Sequence, residues 1–351
     1  MQLLDGIKIV DFSRLLPGPL GTHLLAQMGA KVLKVESPKR KDYARAVGPQ
    51  IAGASTLFHQ LNHNKEILVV DYESEVGYQE ILEHIKTADA VIEQFRPGAM
   101  SSWKLGYEEL KLINPKLVYV SITGYGQSGS HRSEAGHDFN YLANSGIMSL
   151  IKDDQGKPIL PGTQFSDIAG SYMSIIALQA GLLQRNNLQQ GCWLNVPLSA
   201  AVNPFLAVPY SLYSGKMPHE QLNMLNGKTI VNYAAYQCAD DKWISLGALE
   251  LKFWNNFCDL VDKEDWKAGN PMELSVMQFD KTKVEDLFKT KTRDEWATLC
   301  KGKDVCLAPI LEIEELHESE LHNEDGTFVE ISLDNNEKLN TISLPFSIVK
   351  P

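Results

Sequence analysis

Residues 6–36 read "GIKIVDFSRLLPGPLGTHLLAQMGAKVLKVE". An apolar run, "IKIVDFS" (7–13), precedes a helical pattern, "LGTHLLAQMGA" (20–30), which Gly29 closes. A second run, "KVLKVE" (31–36), comes next. A strand, a helix and a strand in that order make a parallel pair, because parallel neighbours need a crossover. The rhythm then repeats. "EILVVDY" (66–72), "AVIEQF" (90–95) and "KLVYVSITG" (116–124) read as strands, with helical stretches at 74–88 and 107–114 between them. This alternation predicts an α/β fold with a parallel sheet covered on both faces.

In such a sheet ligands bind outside the carboxyl ends of the strands. Four loops are therefore the places to look: "SRLLPGP" (13–19), "ESPKRKDY" (36–43), "QFRPG" (94–98) and "TGYGQSGSH" (123–131). A long apolar helix is expected over 168–185. After it the pattern changes. Residues 186–227 read as a linker, and 228–317 as a smaller α+β domain with a strand pair around a turn at Asp240–Asp241. The tail, 318–351, ends in short β-like runs and is assigned with 1–185 to the large domain.

Bulk properties narrow the function. The chain has 351 residues and a formal charge of −11, which argues against nucleic-acid or anionic-membrane partners. No stretch is apolar and long enough to span a bilayer. Five cysteines, none in a C-x-x-C pair, fit a reducing compartment, so the cytoplasm is the expected location. The start lacks a signal-peptide pattern, and "SIVKP" at the end carries no readable address.

Several motifs invite chemistry. Gly124, Gly126 and Gly129 satisfy G-x-G-x-x-G, but the next stretch, "SHRSEAGHD" (130–138), is not helical, so a dinucleotide site is not expected. "HESELH" (317–322) spaces its histidines five apart, off any single helical face, and no metal site is expected. "MLNGKTI" (224–230) runs from the end of the linker into the start of the small domain. Lys31, Lys34, Lys39, Arg40, Lys41 and Arg45 form a basic cluster at the end of a strand, with Lys65 and Arg96 at the ends of neighbouring units. Such a cluster suits a phosphate-bearing ligand. "EAGHDFNYLANSG" (134–146) sets His137 beside Asp138, and "TQFSDIAGS" (163–171) places Asp167 where a loop becomes a helix. On spacing alone His137 reads as a loop residue and Asp167 as a helix N-cap.

Taken together, "GIKIVDFSRLLPGPLGTHLLAQMGAKVLKVE", "FRPGAMSSWKLGYEEL", "LVYVSITGYGQSG", "AGHDFNYLANSG" and "YAAYQCADDKWISLGALELKFW" resemble the family III CoA-transferase and racemase superfamily, CaiB/BaiF-like. So does "TRDEWATLCKGKDVCLAPILEIEEL" near the C-terminus. "AGHDFNYL" and "GALELKFW" resemble the racemase branch. The resemblance implies a Rossmann-like large domain built from both chain ends, a small domain, and two chains interlocked as a homodimer. It implies racemisation of 2-methylacyl-CoA thioesters, with His137 and Asp167 as the two catalytic bases and Glu250 supporting the histidine. The backbone N–H of Asp138 would face the enolate oxygen. Coenzyme A would be bound by Lys34, Lys39, Asn64, Lys65 and Arg96, as part of the substrate, with no further cofactor. The sequence departs from the family pattern at Ser37, His63, Ser130 and Glu134. Two alternatives stand. One is CoA transfer between carboxylic acids through an aspartyl-CoA thioester on Asp167; transferases of the family lack the histidine. The other is an acyl-CoA-binding relative without catalysis.

Overall fold

The protein is described from a computed structural model, which covers residues 2–218, 221–222 and 225–348. Parts of the 186–227 stretch, at 219–220 and 223–224, and the last three residues of "SIVKP" lie outside the described residues, as does Met224 of "MLNGKTI". The chain divides into two units. Unit 1 is Met1–Leu206 with Leu321–Pro351, and unit 2 is Ala207–Glu320.

Unit 1 is built on six parallel strands: β1 (Lys8–Asp11), β2 (Lys31–Glu36), β3 (Glu66–Val69), β4 (Ala90–Glu93), β5 (Val118–Thr123) and β6 (Cys192–Pro197). Their order across the sheet is β3-β2-β1-β4-β5-β6, the doubly wound Rossmann order. The crossovers are α1 (Pro17–Gln27), α2 (Thr56–Asn62), α3 (Glu75–Thr87), α4 (Tyr107–Ile113), α5 (Asp138–Asn144) and α6 (Phe165–Leu188). Alternate strand residues serve opposite faces. Ile9, Val32, Ile92, Val118, Val120 and Val196 pack under α1 and α6. Val10, Val35, Val91 and Tyr119 pack under α3 and α4. Burial on both faces is why these strands read as unbroken apolar runs.

Two expected boundaries move. α1 starts at Pro17 rather than 20, because a proline in the first turn brings the helical φ with it and its missing N–H costs no bond there. α6 extends three residues beyond 168–185 at each end. The 186–227 stretch is not a linker at its start. "CWLNVP" forms β6, paired with β5 from Val118↔Cys192 to Thr123↔Pro197. Leu194 and Val196 close the α6-side core, so the first unit runs to Leu206 instead of 185.

The C-terminal residues of unit 1 form an antiparallel hairpin, β10 (Phe328–Ser332) with β11 (Lys338–Ile342). It is tied to the body where Ala52 N–H donates to the Glu337 carboxylate at 2.8 Å.

Unit 2 opens with helix α7 (Ala207–Ser214) and holds a three-stranded antiparallel sheet, β7 (Tyr233–Gln237), β8 (Trp243–Gly247) and β9 (Leu307–Pro309), with β8 central. The predicted turn is present: Asp241 takes φ +61° between Gln237 and its partner Trp243. Helices α8 (Leu251–Leu260), α9 (Lys281–Phe288) and α10 (Arg293–Cys300) pack Trp254, Phe257, Phe288 and Trp296 into the core with Tyr236. Among the described residues no helix is long and apolar enough to cross a membrane.

Candidate active site

The strand order reverses between β1 and β4, so the chains leaving their carboxyl ends diverge and open a crevice. A cavity of about 320 Å3 lies there. All four loops singled out from the sequence reach it, through Leu15 and Pro17, Tyr43, Gln94 to Pro97, and Thr123 with Gly124. His137, Asp138 and Asp167 complete the wall.

The loop after β4 is pinned from three sides. Gln94 accepts the Gly18 N–H at 2.9 Å, tying it to α1. The Glu93 carboxylate accepts the Phe95 N–H at 2.8 Å. Arg96 itself turns the chain, its carbonyl accepting from Ala99 N–H at 3.0 Å. Its guanidinium is exposed on the cavity wall and has no salt bridge among the described residues. Glu93 is buried, and burial pushes its pKa up to about 7.

His137 precedes α5 and is exposed at the cavity. Its backbone is held twice. Its N–H donates to Asn140 Oδ1 at 3.1 Å, and the Tyr141 hydroxyl donates to the Gly136 carbonyl at 2.6 Å. Gly136 and Gly124 both lie against Tyr141. A Cβ on either would stand 2.6 or 2.7 Å from that ring or its hydroxyl, so any side chain there would push the His137 loop off its support. Asp138 is the first residue of α5. Its backbone N–H, with no intrahelical acceptor at that position, makes no hydrogen bond among the described residues.

Asp167 is not the N-cap expected from the sequence. Gln164 takes that position, and Asp167 is the third residue of α6. The capping acceptor is instead Asp138, whose Oδ1 accepts the N–H of Ser166 at 2.6 Å and of Asp167 at 3.0 Å. The Asp167 carboxyl is half-buried and makes no hydrogen bond among the described residues. Burial, and then the neighbouring Asp138 charge, raise its pKa to about 7. The helix N-terminus would lower it, and burial prevails.

Of the five coenzyme A candidates, only Arg96 lines the cavity. Lys34 and Lys65 stand away from its wall, both side chains fully buried. Lys34 pairs with Asp42 at 2.9 Å and donates to the Ser13 carbonyl at 2.8 Å. Lys65 lies 3.3 Å from Asp11 and donates to Thr22 Oγ1 at 2.7 Å and Asn62 Oδ1 at 2.9 Å. Burial lowers the Lys65 pKa to about 7 against the pull of Asp11. For Asp11 burial acts upward, but Lys65, Lys34 and two hydroxyls outweigh it and the net shift is down. Asn64 is turned to His23 Nδ1 at 3.0 Å. Lys39 is exposed, yet paired with Asp71 at 2.8 Å. Arg40 pairs with Glu73 and Arg45 with Glu36. The basic cluster is thus largely neutralised, by Glu36 and Asp42 within it and by Asp71 and Glu73 from the turn after β3.

The departures from the family pattern are equally committed or remote. Ser37 is buried and bridges to Arg40, His63 packs on His23 at 5.0 Å, Ser130 is exposed, and Glu134 pairs with His131 on the cavity rim. Arg132 and Tyr43 line the cavity and were not anticipated. Neither was Arg14, whose guanidinium stands 5.6 Å from the Tyr43 ring and 5.2 Å from that of Phe95. Arg14 and Tyr43 fall in loops already under suspicion, so loop position was their signal. Glu250 belongs to unit 2, exposed, at the N-cap position of α8.

The model of CoA-transferase family III matches residues 4–350. The chain belongs to that family. Among family members it is 32% identical to human alpha-methylacyl-CoA racemase over 331 residues, covering 93% of this chain and 82% of the relative. It is 30% identical to human succinyl-CoA:glutarate CoA-transferase, covering 88% of this chain and 71% of the relative. A family III fold is also seen in a CaiB/BaiF family protein from Brucella suis, 27% identical, with a TM-score of 0.82 over 99% of this chain and 93% of that one. Racemase and transferase relatives stand at nearly equal identity, so the family settles the class of enzyme and not the reaction.

Proposed function

We propose that this family III enzyme racemises 2-methylacyl-CoA thioesters by moving the α-proton across a planar enolate. The observation that carries the reading is an imidazole, His137, and an unbonded carboxyl with a pKa near 7, Asp167, in the wall of one cavity. A group that returns a proton at neutral pH must be able to hold one. An ordinary aspartate cannot, and Asp167 can. A nucleophilic carboxylate, as transfer requires, gains nothing from being half protonated.

In this reading neutral His137 takes the α-proton of one enantiomer, and the electron pair moves onto the thioester oxygen. Protonated Asp167 delivers its proton to the opposite face, leaving imidazolium and carboxylate. The other enantiomer runs the same steps backwards. Each placed acid or base is worth ~10²–10⁴ in rate. The Asp138 N–H supplies a donor to the enolate oxygen, worth about 3 kcal/mol. Arg96 and Arg132, both on the cavity wall, meet the coenzyme A phosphates. The chemistry needs no cofactor beyond the coenzyme A that the substrate carries.

A homodimer belongs to the same reading. Val208, Tyr210 and Tyr213 on α7 are each more than 60% exposed, apolar surface that a second copy would cover. The cytoplasm is the proposed location.

One enantiomer of a 2-methylacyl-CoA, incubated with the enzyme in D2O, tests the reading. The expected result is deuterium at the α-carbon together with loss of optical purity. Absence of exchange, with CoA passing to a free carboxylic acid, would establish transfer instead. Thioester binding with neither outcome would identify a non-catalytic relative.

A further inference from the structure

Asp138 has a side chain as well as an N–H, and the side chain is used elsewhere. Its Oδ1 accepts the N–H groups of Ser166 and Asp167 at 2.6 and 3.0 Å. These are the second and third residues of α6. Their amides point out of the helix end and have no acceptor within the helix. Such a terminus carries roughly half a positive charge and favours any carboxylate in its first turn. Asp167 stands in that turn. With Asp138 seated on the amides, that benefit goes to the wrong carboxylate, and a negative charge is placed beside Asp167 besides.

We propose that Asp138 is a positioning residue that keeps Asp167 protonated by occupying the amino end of α6. This is separate from the N–H donation assigned to Asp138 above. Its catalytic consequence rests on the racemase reading; the titration of Asp167 does not.

The other groups at the site leave the assignment in place. Tyr43, Arg96, Arg132, Glu134, His137 and Tyr141 share the cavity with Asp167. The Tyr141 hydroxyl is committed to the Gly136 carbonyl, and Glu134 to His131. α6 meets α1 through its own Ser171, whose hydroxyl donates to the Pro17 carbonyl at 2.7 Å, and shares an apolar core with Val118, Val120 and Val196 of β5 and β6. Asp138 is the charge that acts on Asp167.

Two variants separate the charge from the cap. Asp138→Asn keeps an oxygen for both amides and removes the charge. Asp138→Ala removes both and frees the amides for Asp167. The Asp167 titration is read by NMR of the 13Cγ-labelled full chain, without substrate, and assigned with Asp167→Asn. The midpoint should fall by about one pH unit in Asp138→Asn and further in Asp138→Ala. Midpoints that stay at the wild-type value in both folded variants would overturn the proposal and leave burial as the whole cause. If Asp138→Ala does not fold, the Asn variant alone decides. Exchange assays run alongside keep the two claims apart. A moved midpoint with no exchange in the wild type sinks the racemase reading and spares this one. Exchange with an unmoved midpoint does the reverse.

Discussion

Asp167→Asn should stabilise the folded protein at alkaline pH and destroy its activity. The carboxyl has an ordinary pKa of 3.8 and a folded value of about 7. Between those values the folded chain holds a proton that the unfolded chain has released. Stability therefore declines as pH rises through that window, and the whole penalty is present above pH 7. A shift of about three units corresponds to about 4 kcal/mol. The carboxyl is only half-buried, so solvent screening brings the expected figure to about 2 kcal/mol. Asparagine has the same shape and cannot ionise, so it escapes the penalty. For a unit of this size about 2 kcal/mol raises Tm by roughly 4–8 °C. Paired thermal melts of wild type and variant at pH 8.5 and at steps down to pH 4 measure the effect. The variant should lead at pH 8.5, and the lead should shrink toward pH 4. A pH-independent difference, or a variant less stable at pH 8.5, would refute the placement of Asp167 in a desolvated wall. The simultaneous loss of α-exchange would show a site kept at a cost in stability.

Other outcomes come from the same geometry. His137→Ala should slow α-deuterium exchange by ~10²–10⁴ while calorimetric binding of the thioester stays near wild type. In the wild type, racemisation of the enantiomer that Asp167 reprotonates should fall as pH rises through about 7, where Asp167 loses its proton; a rate flat from pH 5 to 9 would contradict it. Arg96→Ala should raise KM for the thioester with little change in melting temperature. Lys34→Ala should do the opposite, costing about 3–5 kcal/mol of stability because Asp42 is left buried and unpaired; urea unfolding beside steady-state kinetics distinguishes the two.

Much of unit 1 was legible because its signals are local. β1, β2, β4 and β5 are buried on both faces and announce themselves as apolar runs, and the strand-end rule then selects the loops that line the cavity. β6 escaped because an edge strand of six residues, Cys192–Pro197, comes after the polar "RNNLQQG" and exposes Trp193. The misplaced lysines have a different origin. A sequence displays a charge but not its partner, and Lys65 meets Asp11 across 54 positions. The cap that Asp138 makes on α6 is equally invisible, since Ser166 lies 28 residues on. His137 and Asp167 were found by motif resemblance, and only coordinates place both in one wall. The protonation of Asp167 depends on burial, which no spacing rule reports.

The division of the chain has a consequence for its birth on the ribosome. Every residue lining the cavity falls between Leu15 and Leu198, and the sixth strand is finished at Pro197. The remainder of unit 1, from Leu321 onward, emerges only after the whole of unit 2. At roughly 5–20 residues per second that interval lasts on the order of ten seconds. Throughout it, every residue of the six-stranded sheet and of the cavity wall has been made, but none of the Phe328–Ile342 hairpin. Misfolding in this enzyme should therefore be most sensitive to codons and chaperones acting in the stretch between those two points.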